Sequence, residues 1–291
     1  MKILPSIILA AVIGCLAAVI TVKTIAPQSA GQGESKTEST YDRVMRTGTI
    51  RCGYMQHEPQ TIINSATGEI SGIYSDLMEE IGKRLSLKIK WAEEVGFGTA
   101  VEGLKTNRYD MVCANMWASS ARARYSDYSA PLNYSLMNVW VRADDTRFDN
   151  NAKLLDSPEY QFAALEGGVD NQIIAYNFPK AKVLTLPNLT LVPEEFENLI
   201  TRKVDALIMD DDGAISFLKN NPGKIKNLTR GNPVRFNENV MLMPAGEFRF
   251  NQMINNAIRD IQYDGTFDRI IRKYNRSESY KNVAKPYDAG N

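Results

Sequence analysis

The chain has 291 residues, of which 44% are hydrophobic and 23% charged, the balance of an ordinary globular protein with enough apolar material for a sizeable core. Lys plus Arg and Asp plus Glu both number 34, so the formal net charge is zero, which argues against nucleic acid as the main partner because phosphate binding leaves a basic surplus. A single histidine, His57, and three cysteines without metal-ligand spacing speak against structural zinc, another metal centre or a histidine-based catalytic triad, and no cofactor is implied.

The first feature is an apolar run from Ile3 to Val22, broken by Pro5, Ser6, Gly14 and Thr21 and flanked by Lys2 and Lys23. About 20 apolar residues span a bilayer as a helix. Three readings stand open: an uncleaved membrane anchor, a cleaved signal peptide, or a lipoprotein with Val12-Ile13-Gly14-Cys15 as its lipobox. Neither Thr24-Ile25-Ala26 nor Gln28-Ser29-Ala30 makes a good small-x-small cleavage site, and apolar residues continue past Cys15. All three readings place the rest outside the cytoplasm, in the periplasm or at the cell surface. Residues 27–40, PQSAGQGESKTEST, carry too few apolar groups to offset ordering entropy and read as a flexible tether. They separate a signal or anchor segment, 1–26, from a fold expected to start near Tyr41.

From there strands and helices alternate. Thr49–Tyr54 reads as a strand, and Ser75–Leu85 as an amphipathic helix with Leu77, Met78, Ile81 and Leu85 on one face and Ser75 or Asp76 as cap. Lys88–Ala92 reads as a strand, Thr99–Lys105 as a short helix and Asp110–Ala114 as a buried strand. The cycle then restarts with strand Gln161–Leu165, helix Asn171–Asn177, strand Lys182–Leu186, helix Pro193–Thr201, strand Ala206–Met209 and helix Asp212–Lys219. Helices Arg249–Tyr263 and Thr266–Tyr274 follow. This βαβαβ order, met twice, implies an α/β protein of two similar lobes, each with a mainly parallel sheet. Ligands of such sheets bind beyond the carboxyl ends of the strands, so two facing lobes share a cleft.

Several motifs carry a family resemblance. Gly72-Ile73-Tyr74-Ser75-Asp76-Leu77, Arg108-Tyr109-Asp110, Arg122 followed by Asp127-Tyr128-Ser129-Ala130-Pro131, Val204-Asp205-Ala206-Leu207-Ile208-Met209-Asp210 and Asp264-Gly265-Thr266 stand in the order and spacing of one family. From Gly48 to Asn275 the chain resembles the bacterial extracellular solute-binding proteins of polar amino-acid ABC transporters, family 3. The resemblance implies the type II periplasmic-binding-protein fold, with two hinge crossings near Asn138–Arg142 and Val234–Val240. Lobe 1 would comprise 41–139 and 236–279, lobe 2 140–235, with a C-terminal tail at 280–291. It also implies a monomer that hands its ligand to an ABC permease. In the family's sheet the strands of Cys52 and Cys113 are adjacent, so these cysteines are expected close together. Parallel pairing rarely suits a disulfide, and two small buried thiols are the expected state.

An amino acid presents a carboxylate and an ammonium, which call for a guanidinium fork and a carboxylate respectively. By resemblance, Arg122 takes the ligand carboxylate and Asp210 the ammonium. Read alone, Arg122 is an ordinary surface charge, and Asp210-Asp211-Asp212 a solvated helix start. Phe97 matches a wall position of the family, and His57 falls near another. Trp117 stands where the family has a small hydroxylic residue, while Asn115 and Ser119 offer polar contacts. After the first strand of lobe 2 the family commonly has Gly-Ser/Thr-Thr. Here Gly167-Gly168-Val169-Asp170 loses the hydroxyl and gains an acid, which favours a cationic side chain or a different small metabolite; the N–H groups around Gly168, Val169 and Asp170 still offer an anion site. A non-enzymatic binding role leads. The alternatives are a membrane-tethered sensor or accessory module, and an enzyme like cyclohexadienyl dehydratase, which resembles the family and uses the same cleft.

Overall fold

The computed structural model describes residues 38–149 and 151–275, and the backbone of the short strand 281–282. The apolar run, Cys15, residues 27–37 and most of the C-terminal tail lie outside the described residues. Among the described residues no helix is long and apolar enough to cross a membrane. The fold begins slightly before the expected Tyr41. Helix α1 (Thr40–Thr47) is capped by Ser39, whose side chain accepts from the Asp42 N–H, and the Thr40 N–H donates to Glu247 at 2.9 Å. Ser39 and Thr40 therefore belong to the fold and not to the tether.

Strand β1 (Thr49–Tyr54) is followed by a small hairpin, β2 (Ile62–Ile63) and β3 (Ile70–Ser71). Helix α2 (Ile73–Leu85) buries Ile73, Leu77, Met78 and Ile81 as one stripe. It starts two residues earlier than expected, and neither Ser75 nor Asp76 caps it. Its N-cap is Gly72 at φ 116, where a Cβ would stand 2.6 Å from the Gln60 carbonyl oxygen. Ser75 donates instead to the Ile70 carbonyl at 3.2 Å, and Asp76 accepts from Lys273 at 2.7 Å. Strand β4 (Lys88–Glu94), helix α3 (Ala100–Lys105), strand β5 (Met111–Trp117), helix α4 (Ser120–Ala123) and strand β6 (Ser126–Tyr128) follow.

The long strand β7 (Asn133–Arg142) leads through a 3-10 turn at Ala152–Leu155 to strand β8 (Gln161–Leu165), helix α5 (Val169–Asn177), strand β9 (Lys182–Leu186) and helix α6 (Val192–Ile200). Then come strand β10 (Ala206–Asp210), helix α7 (Asp211–Asn220), strand β11 (Ile225–Asn227) and the second long strand, β12 (Arg235–Pro244). Helices α8 (Phe248–Tyr263) and α9 (Thr266–Lys273) and strand β13 (Lys281–Asn282) complete the order.

The strands run in one path, β4-β1-β5-β12-β7-β10-β8-β9. Pairing is parallel at each end, β4-β1-β5 and β10-β8-β9, and antiparallel where β12 and β7 cross the middle. These two strands are the expected crossings between lobes. Each end is covered on both faces, as alternation requires. Phe162, Ala164, Ala206 and Ile208 face one core of the second lobe, while Ala163, Leu165, Leu207 and Met209 face the other. In the first lobe Ile50, Cys52, Met111 and Cys113 face α2 and α8, while Val112, Ala114 and Met116 pack around Leu104 and Tyr109.

That alternation corrects the expectation for the cysteines. Cys52 pairs in register with Met111, so Cys113, two residues on, projects from the same face. Their Cα atoms are 5.4 Å apart and the sulfurs are bonded, a separation ordinary for a disulfide.

Candidate functional site

The site lies where the carboxyl ends of the parallel strands face each other across β7 and β12. Strand β5 delivers Trp117 as its last residue, and the short α4 then returns the chain. The Ser119 hydroxyl accepts from the Arg122 N–H at 3.4 Å, which fixes the turn that points Arg122 inward. Arg122 is 9% exposed. Its Nη1 donates to the Trp117 carbonyl at 3.2 Å and its Nη2 crosses the cleft to the Gly167 carbonyl at 3.0 Å. Burial lowers its pKa, opposed by Tyr128 and Asp170; a guanidinium in this setting stays charged.

The opposing wall comes from the second lobe. Gly167 sits at φ 71, and a Cβ there would stand 2.8 Å from the Gly98 Cα of the first lobe, so bare backbone on both sides lets the lobes approach this closely. Beyond it α5 begins. Asp170 is 5% exposed, and its Oδ2 accepts from the Leu165 N–H at 2.8 Å. The Gly168 N–H is spent on the Leu165 carbonyl at 2.9 Å. The Gly168 N–H is thus not open to an anionic ligand, and the Asp170 carboxylate stands at the start of α5 with its Oδ1 unpartnered among the described residues. Burial raises Asp170 to about 6, although backbone hydrogen bonds and Arg122 oppose the shift.

A cavity of about 40 Å³ is lined by both lobes. Of the residues singled out from sequence, His57, Phe97, Trp117, Arg122, Gly168, Val169 and Asp170 line it. Phe97 packs on a core cluster of each lobe, and Trp117 reaches the second lobe's core from the first. Three buried polar atoms on this wall have no hydrogen-bond partner among the described residues: His57 Nε2, Trp117 Nε1 and Asp170 Oδ1. Unpartnered polar atoms are costly inside a protein, and these three are available to a molecule in the cavity. Burial also lowers the His57 pKa, opposed by Asp210.

Three expected residues stand outside the lining. Asp210 is buried, but its Oδ1 accepts from the Gly213 N–H at 2.9 Å, capping α7, and its Oδ2 accepts from Ser135 of β7 at 3.1 Å. It anchors the helix to the hinge. Asn115 accepts from the Tyr74 hydroxyl at 3.3 Å, and Ser119 is occupied as the cap of α4. The lobes also meet outside the cavity, where Gln60 Nε2 donates to Asp212 Oδ2 at 2.5 Å.

Sequence reasoning missed Gln56, Leu165, Thr190, Val192, Glu195, Ile208 and Met209, which share the lining. Glu195 is the consequential omission. It is 3% exposed, and burial first, then Asp170 and Asp210, push its pKa well above the usual carboxylate range. The signal for it was available: α6 is amphipathic, and Glu195 falls with Phe196 and Leu199 on the buried stripe, while Glu194 and Glu197 face solvent.

Comparison with known proteins agrees with the fold. The family model of bacterial extracellular solute-binding proteins, family 3, matches residues 50–277. A probable histidine-binding protein of Campylobacter jejuni is 24% identical over 71% of this chain and 77% of its own length. The L-cystine-binding protein TcyA of Bacillus subtilis is 21% identical over 88% and 94%. Among solved structures, a cysteine-binding protein of C. jejuni superposes with TM-score 0.72 at 20% identity, covering 85% of this chain and 97% of that one. An ancestral amino-acid-binding protein, precursor of cyclohexadienyl dehydratase, gives TM-score 0.71 at 22% identity over 81% and 99%. These likenesses share the two-lobed type II periplasmic-binding-protein fold, and with the family match over most of its length, the chain belongs to the bacterial extracellular solute-binding proteins, family 3.

Proposed function

We propose that the protein captures an amino acid between its two lobes, outside the cytoplasm, and presents it as a monomer to an ABC permease, held near the membrane by its N-terminal segment. The observation that carries this reading is the meeting of Arg122 from one lobe with Asp170 and Glu195 from the other around a single cavity. A ligand carboxylate would draw the Arg122 fork away from the Trp117 and Gly167 carbonyls, and a ligand ammonium would take the acid side. At about 40 Å³ the cavity has room for only a few water-sized groups. A ligand therefore enters with the lobes parted about β7 and β12, and the closed form is the one it selects. The histidine- and cystine-binding relatives support an amino acid as cargo.

Thermal-shift screening of the full chain in mild detergent against the proteinogenic amino acids and cystine tests the reading. At least one ligand is expected to raise the melting temperature, and Arg122→Ala should abolish the rise. Absence of any shift would reject amino-acid capture.

A second reading is favoured by Glu195 alone. A carboxyl that burial pushes toward its protonated form at the cleft is suited to protonate a hydroxyl that departs as water while carbon dioxide is lost, as a cyclohexadienyl-dehydratase-like reaction requires. Turnover of prephenate by the full chain would support it, and binding without turnover would remove it.

A further inference from the structure

We propose that Glu195, backed by Asp170, receives a cationic side chain, so that the ligand is a basic amino acid carrying a guanidinium, ammonium or imidazolium; this rests on the amino-acid reading above. The argument begins with position. Glu195 occupies the apolar stripe of α6, beside Phe196 and one turn before Leu199, where an aliphatic residue would pack at no electrostatic cost. Instead a carboxyl is 97% removed from water, lines the cavity, and receives no hydrogen bond or ion pair among the described residues. A buried carboxylate without a partner is costly, and such groups are paired or protonated.

Charge balance supplies the partner's sign. The charged groups lining the cavity are Arg122, Asp170 and Glu195. An amino acid with a neutral side chain brings one carboxylate for Arg122 and one ammonium for an acid. It leaves the second acid facing Asp170 or Asp210, the two carboxylates whose fields act on Glu195. A second positive group on the ligand removes that conflict. In the empty protein a proton serves the same purpose, so the ligand cation displaces it. The groups facing Glu195 are Asp170 at the start of α5 and Asp210 at the end of β10, with Arg122 and His57 across the cleft. A neighbouring cavity of about 180 Å³ shares Gln56, His57 and Val192 with the first, which leaves room for a long side chain as the lobes part.

Isothermal titration of the full chain with arginine, lysine and histidine, set against the neutral analogues citrulline and norleucine, tests the proposal. One basic amino acid should bind at least tenfold more tightly than its neutral analogue. Glu195→Gln should erase that preference, weakening the basic ligand tenfold or more and leaving the neutral one unchanged or improved. Glu194→Gln, on the exposed side of the same helix, should change neither. Titration in buffers of different ionisation enthalpy should show close to one proton released per basic ligand by the wild type and none by Glu195→Gln, a readout that a purely structural role would not move. Equal binding of citrulline and arginine, or a preference that survives in a folded Glu195→Gln protein, overturns the proposal while amino-acid capture stands. Binding of no amino acid at all overturns both.

Discussion

Asp145 and Glu195 lie in the same half of the molecule and are both little exposed, 6% and 3%, yet Asp145 lies nearer the surface, and their surroundings drive them in opposite directions. Asp145 accepts from Arg142 Nη2 at 2.8 Å and from Arg147 Nε at 2.9 Å. Arg142 in turn donates to the carbonyls of Leu199 and Val204. The Arg147 hydrogen bond, above all, holds Asp145 below the usual carboxylate range. Glu195 has burial and two other acids around it, and is raised. Asp110 repeats the first pattern in the other lobe, 2% exposed and bound by Arg43 and Arg51. Asp145 and Asp110, in the bodies of the lobes, are each bound by two arginines, whereas Glu195 at the cleft is bound by none among the described residues. On the function proposed above, the difference separates groups that hold the fold from a group that receives the ligand.

The bodies should be fragile to substitution where the cleft is tolerant. The largest effect is expected from the Cys52–Cys113 bond, which closes a loop with a sequence separation of 61. In the chain-entropy account such a loop contributes about 4 kcal/mol. Replacing both cysteines by serine should lower the melting temperature by on the order of 10 °C, and thiol counting in denatured protein should find Cys52 and Cys113 reactive only after reduction. Next comes Asp145→Asn. Among the described residues Arg142 and Arg147 would keep only Asp205 as an acid partner, and the lost charged hydrogen bonds should cost about 2 kcal/mol, read by denaturant unfolding. Glu195→Gln should cost nothing in the same experiment. A large loss there would mean that the cleft acid is structural, and the contrast would fail.

How much of this was legible depended on whether the signal was local. Strands Gln161–Leu165 and Lys182–Leu186 were read to the residue, because short apolar runs bounded by turns leave little choice. Helix α2 was placed by its stripe but misjudged at its start. Ser75 and Asp76 look like caps, while the real start depends on Gly72 meeting the backbone of Gln60, a contact remote in sequence. Arg122 and Asp170 were found through motif position. Asp210 was expected at the ligand by the same route, but its oxygens are committed to Gly213 and Ser135, the latter on a strand 75 residues away. The disulfide was underestimated because a pairing diagram omits that residues two apart share a face. Glu195 was passed over as one of three acids in Pro193-Glu194-Glu195-Phe196-Glu197, and only the buried stripe of α6 distinguishes it.

The smallest effect expected is a dependence on pH, and its sign follows from Asp170. Its ordinary pKa is 3.8 and burial raises it to about 6 in the fold. Between these values the folded protein holds a proton that the unfolded chain has lost. Stability carried by this group is therefore full below about pH 4 and declines as pH rises to about 6, after which the loss is constant. Glu195 adds a decline of the same sign, since it too is raised. His57 opposes both, because its lowered pKa makes the unfolded chain the better proton binder. The comparison is therefore made between variants, so that His57 cancels. Relative to wild type, Asp170→Asn should gain melting temperature between pH 5 and pH 7.5 by about 3 °C, corresponding to roughly 1 kcal/mol, while Asp145→Asn should show no gain over that interval, because a depressed carboxylate finishes titrating below it. Scanning calorimetry of the empty proteins at the two pH values decides the matter. A gain for Asp170→Asn that is absent, or that is matched by Asp145→Asn, would show that the cleft acids are no more strained than those of the body.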